Sequence, residues 1–166
     1  MADIGRIARH LFATHWQIRR VFPKKTLDAI AQEIEASEVT HDGQIRFVVE
    51  CALSGIPLFR GISARERAID VFSHLRMWNT EQRNGVLVYL LYADRSVEIV
   101  ADRGVHDKTG SHEWESICHS MEAAFRADKF EEGAIAGIRA ITRLLALHYP
   151  GTGASRNELP NTVVLL

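Results

Sequence analysis

Cysteine is scarce in this chain of 166 residues. Cys51 and Cys118 match none of the paired spacings of a metal or redox site, and their apolar settings suit buried free thiols. Membrane-length apolar runs are missing too, and Arg9, His10, His15 and Gln17 interrupt the N-terminal stretch where a secretory signal needs an unbroken apolar core. A cytoplasmic location is expected. Neither sign of charge dominates: 20 basic and 21 acidic residues leave a formal net charge of −1, which removes the electrostatic argument for nucleic acid. No glycine-rich phosphate loop precedes Ser63, and no Cys-x5-Arg or Asp-x-Asp pattern occurs. His112 and His119 lie two helical turns apart, and the His-Glu-Trp-Glu-Ser run is not a zinc-protease motif. Repeats and low-complexity tracts are also absent.

What is present centres on Asn84 to Gly104. Val86 to Tyr92 is an almost unbroken apolar run rich in β-branched and aromatic residues, which suits a strand buried on both faces. Ala93 to Ser96 forms a tight polar connection, and Val97 to Ala101 resumes the apolar run around Glu98, so the pair reads as an antiparallel hairpin. Arg83-Asn84-Gly85 enters the first strand and Asp102-Arg103-Gly104 leaves the second. Antiparallel pairing brings entry and exit to one edge.

Upstream, Gln44 to Leu53 is a further strand, followed by a loop with Gly55, Pro57 and Gly61 and then a helix opened by the capping box Ser63-Ala64-Arg65-Glu66. Strand, helix, strand makes a right-handed crossover with parallel strands near Phe47 and Leu87. Residues 3–20 are expected as one amphipathic helix and Lys24 to Ser37 as a second. Downstream, Val105 to Gly110 reads as a polar loop, Ser111 as the cap of the next helix, and Asp128 with Glu131 as a capping box. Gly133 and Gly137 stand one turn apart on the last helix, and packing against the sheet would offset about 1 kcal/mol of lost propensity each. The whole is one domain over 1–166, with a core over 24–150 and an irregular tail over 151–166 in which Val163 to Leu166 suits an edge strand. Its fold class is a three-layer α/β/α sandwich.

Three motifs in this order, Arg83-Asn84-Gly85-Val86-Leu87 with Glu98 to Gly104, Trp114 to Phe125, and Phe130-Glu131-Glu132-Gly133 with Gly137-Ile138, resemble the TPM domain family. The match runs from about Ile34 to Pro150, and Asn157 to Pro160 resembles short bacterial members. The resemblance implies a Rossmann-like mixed sheet and, in some relatives, divalent cations held by acidic loop residues; acid phosphatase activity is described for plant thylakoid-lumen members. Many relatives also carry a signal peptide and a C-terminal anchor, and neither pattern is found here.

The predicted topology gathers Glu38, His41 and Asp42, Arg83 and Asn84, and Asp102 and Arg103 at one edge of the sheet. Carboxylates with an amide oxygen in loops suit a hard cation, Ca2+ or Mg2+, and Glu38, Asn84 and Asp102 are the expected ligands, with Arg83 and Arg103 as anion contacts. The plainer alternatives are an Asn-Gly turn, a frayed helix end at Glu38, and Asp102 paired with Arg83 or Arg103. No catalytic residue is assigned and no organic cofactor is expected. Two further readings stay open: a phosphatase using Asp102 or Asp42, and a non-catalytic module that docks a protein through the basic N-terminal helix or the C-terminal tail.

Overall fold

Apolar residues alternate between two sheet faces along every strand, and helices cover both. The computed structural model describes residues 3–153 and 157–166. Strand β1 (Gln44–Glu50) runs parallel to β2 (Gly85–Leu91), setting Phe47 beside Val88, and β3 (Ser96–Ala101) returns antiparallel to β2, setting Ile99 on the other side of Val88. A 3-10 turn over Tyr92–Asp94 joins the hairpin, closed by Arg95 in the left-handed region at φ 48°. Tail residues Val164–Leu165 form β4, parallel to β1, so the order is β3-β2-β1-β4. Every residue of β2 is buried, as a strand covered on both faces requires.

Ile45, Phe47 and Val49 with Val86, Val88 and Leu90 face α3 (Lys24–Ser37), α7 (Ser111–Arg126) and α8 (Phe130–His148). Val48, Leu87, Tyr89 and Leu91 face α4 (Gly55–Phe59) and α5 (Ala64–His74). That is the expected α/β/α sandwich. On the α5 side one carboxylate is buried among these residues. Glu50 is held by the Arg67 guanidinium in a two-pronged contact and by the Tyr89 hydroxyl at 2.6 Å, so its charge is compensated where little water reaches it.

Several local expectations are corrected. The N-terminal stretch is two helices, α1 (Ile4–Phe12) and α2 (His15–Val21), because Thr14 and Gln17 form a capping box that restarts the chain. Ile18 and Phe22 are buried in the main core, which therefore begins before residue 24. The loop at Gly55 contains α4, and the supposed polar loop after β3 is α6 (Arg103–Thr109), capped by Asp102 and stopped at Gly110 with φ 79°. Gly110, not Ser111, takes the N-cap of α7. Asp128 sits at φ 58°, Lys129 precedes α8, and Glu131 accepts from the Thr26 hydroxyl instead of closing a box. Gly133 and Gly137 pack against α7, where added Cβ atoms would strike Ala124 and Phe125 in one case and Met121 in the other. The sheet is not their neighbour in that contact.

Candidate cation-binding rim

β1 and β2 begin, and β3 ends, at the same edge. The Asp102 N–H donates to the Gly85 carbonyl at 2.8 Å, carrying the β2–β3 ladder one step past the strands, and the Gln44 N–H donates to the Asn84 carbonyl at 3.0 Å. Asn84 is locked from three sides. Its N–H donates to the Thr80 hydroxyl at 3.1 Å, its Nδ2 donates to the Asp42 carbonyl at 2.7 Å, and it is 1% exposed. Among the described residues no donor reaches Asn84 Oδ1. Asp102 uses one oxygen to accept the Arg103 N–H at 2.7 Å, capping α6, while its buried Oδ2 likewise has no donor. Leaving such an oxygen dry and unpaired costs about 1–3 kcal/mol.

Glu38 ends α3 and accepts from Asn161 Nδ2 at 3.3 Å through one oxygen, the other being buried without a donor. Burial pushes its pKa above the ordinary carboxylate value, against the Asn161 hydrogen bond and with the Glu35 charge. His41 is 1% exposed, and among the described residues neither ring nitrogen has a well-aligned partner. Burial pushes its pKa below the ordinary imidazole value, with the Gly43 backbone and the Asp42 charge opposing. The neutral ring is thereby favoured.

The structure thus joins Asn84, Asp102 and the Asp42 backbone, and turns Glu38 toward the tail. Arg83, at φ 52°, and Arg103 flank them on the exposed side. Asp42 spends its carboxylate on the tail, accepting from the Thr152 N–H at 3.1 Å and hydroxyl at 2.9 Å. Tail contacts also include a bridge between His41 and Pro150, with Gly151 donating to the Thr40 carbonyl at 3.1 Å. Sequence spacing carries no sign of Thr152 or Asn161, because both arrive more than a hundred residues after the groups they bind. Among the described residues no three His, Cys, Asp or Glu side chains are placed to hold a metal together. The free oxygens on the rim are therefore a mixed carboxylate and amide set, and a cation held by one or two carboxylates, with water completing its shell, is the manner of Mg2+.

The outer edge of β3 borders a cleft of about 400 Å3 lined by charged groups, but these close the strand edge. Glu122 accepts the Val97 N–H at 3.0 Å, and Arg65 donates to the Ile99 carbonyl and lies 3.6 Å from Glu98. Cys118 lines the same cleft with its thiol pushed up to about 12 by burial and by the Glu98 charge, which leaves almost no thiolate at neutral pH. Both cysteines are free and buried.

Comparison with known proteins agrees with this architecture. A family model described as the TPM domain matches residues 18–144. The NMR structure of BA42 protein from the psychrophilic bacterium Bizionia argentinensis sp. nov. is similar at a TM-score of 0.74 and 31% identity, over 86% of this chain and 93% of that one. No curated protein matches. Among the described residues, no helix is long and apolar enough to cross a membrane.

Proposed function

The chain belongs to the TPM domain family, and we propose that its rim binds a divalent cation, Ca2+ or Mg2+, through Asn84 and Asp102. One observation carries this reading. Among the described residues Asn84 Oδ1 and Asp102 Oδ2 are buried acceptors without donors, on two loops that the Asp102 to Gly85 hydrogen bond holds together. A cation relieves what no protein donor relieves, and it would supply positive charge beside the exposed Arg83 and Arg103. Those two guanidinium groups favour a second reading, a phosphomonoesterase whose substrate phosphate meets the cation and the arginines.

Thermal melting of metal-stripped protein tests the first reading. Saturation at about a hundred times Kd adds about 2.7 kcal/mol to folding stability, a rise of several degrees for a domain this size. Asp102→Asn should abolish that rise and change the metal-free melting temperature little, because asparagine caps helices as well as aspartate does. A melting temperature unmoved by millimolar calcium and magnesium would remove the site. Turnover of a generic phosphomonoester that survives Asp102→Asn would count against the second reading.

A further inference from the structure

Helix α1 is docked by its polar side. On a helical wheel of about 100° per residue, Arg6, His10 and Ile7 occupy one arc and Ile4, Leu11 and Phe12 an adjoining one. The first arc faces the protein. Arg6 Nε donates to Asp94 at 2.8 Å and its NH2 group donates to the Ile62 carbonyl at 2.9 Å, while Ile7 packs against the α5-side core. His10, 4% exposed, accepts the Leu53 N–H at Nδ1 at 2.9 Å, which leaves Nε2 facing Asp94 Oδ1 at 3.1 Å. Burial tends to raise the Asp94 pKa, but the Arg6 hydrogen bond and the neighbouring His10 ring carry it below its ordinary value. The clamp is therefore an ionised one.

Its consequence is an amphipathic helix turned outward. Ile4, Leu11 and Phe12 are 83%, 68% and 78% exposed, and Trp16 on α2 is 68% exposed. Neighbouring α4 adds exposed Ile56 and Phe59. Basic residues outnumber acidic ones in this stretch, although Asp3 caps α1 and Asp128, Glu131 and Glu132 border the cleft that Trp16 lines. The first 25 residues hold six basic side chains and one acidic, whereas the remaining chain holds fourteen and twenty. Of those six, Arg9, Arg19, Arg20, Lys24 and Lys25 are exposed, and Arg20 lies over the Trp16 ring.

We propose that α1 and α2 dock the protein on an anionic lipid bilayer, the exposed aliphatic and aromatic side chains entering the headgroup boundary and the basic residues meeting lipid phosphates. Short helices with tryptophan, phenylalanine and leucine on one side and arginine or lysine around them suit that interface. A second copy of the chain is disfavoured, since a two-fold contact through this face sets one basic surface against another. Asp94, which anchors α1, lies beyond the far end of β2 from Asn84, about 20 Å along the strand. A docked molecule would hold its acidic rim away from the lipid.

Co-sedimentation of the full chain with vesicles tests the proposal, using phosphatidylcholine alone and phosphatidylcholine with about 30% phosphatidylglycerol. Binding is expected only to the anionic vesicles, falling as salt rises, with a blue shift of tryptophan emission that Trp16→Ser removes. Leu11→Ser with Phe12→Ser should weaken binding at least about tenfold without lowering the melting temperature, both side chains being exposed. Arg19→Ser with Arg20→Ser should erase the preference for phosphatidylglycerol. The proposal is overturned by protein that stays in solution with anionic vesicles at low salt, or by unchanged binding in the Leu11, Phe12 variant. A dimer that this variant disperses, with no vesicle binding, would assign the surface to a protein contact instead.

Discussion

Gly104 packs against the carbonyl of Arg83 so closely that a Cβ on residue 104 would lie 2.6 Å from that oxygen, with the Gln82 carbonyl and the Tyr149 hydroxyl each 3.1 Å away. The two arginine-glycine motifs that bracket the hairpin are thus in contact with each other. Gly85 is comparably hemmed in by the Met77 carbonyl.

Gly104→Ala should therefore destabilise the protein by about 1–3 kcal/mol, the usual cost of forcing a side chain into backbone that cannot retreat. Chemical denaturation checks this. The same variant should blunt any cation response, because it pries the Arg83–Asn84 loop from the start of α6. A neutral substitution would mean that the rim is loosely packed.

A second prediction concerns the buried Glu50. Arg67→Ala leaves that carboxylate with the Tyr89 hydroxyl alone and should cost about 3 kcal/mol, whereas Arg67→Ala combined with Glu50→Gln should recover part of the loss. Denaturant midpoints of Arg67→Ala, Glu50→Gln and the double variant decide it. Additive losses would show that the ion pair carries no coupling.

Acid should release α1 before the core opens. The Asp94 pKa is held below its ordinary 3.8, so the clamp contributes stability at pH values above that, and the contribution is lost as pH falls through the lower folded value. Glu38 behaves oppositely: with its pKa raised, protonation favours the folded state as pH falls from neutrality. Amide exchange across residues 4–12 should rise at the acid limit, and Asp94→Asn should make that exchange fast at neutral pH. Protection that is indifferent to Asp94→Asn would place the anchoring of α1 elsewhere.

The central hairpin, the parallel crossover and the helix behind Ser63 were legible because strand alternation and capping chemistry are local and agree with tertiary burial. Asn84 and Asp102 could be brought to one edge for the same reason, since pairing direction alone determines which strand ends meet. Other elements failed where local signals were misjudged or remote. Thr14 and Gln17 held a capping box inside an otherwise continuous apolar period, and Asp102 with Gly110 bounded α6 within residues that looked merely polar. The orientation of α1 could not be read at all. Nothing in its spacing says that Arg6 and His10 have a partly buried acceptor in Asp94, so an amphipathic helix docked on the core and one turned toward a partner read alike. Glu38 fell to the tail through Asn161, a contact that depends on the course of the last dozen residues.

Amide resonances across the rim offer the most direct test of its central role. Titrating calcium or magnesium into 15N-labelled protein should shift the Asn84, Gly85, Asp102 and Arg103 amides together along one saturating curve, and manganese should broaden the same set first. Spectra unchanged at millimolar metal, or changes centred on Glu98 and Glu122 in the cleft beside β3, would contradict the account.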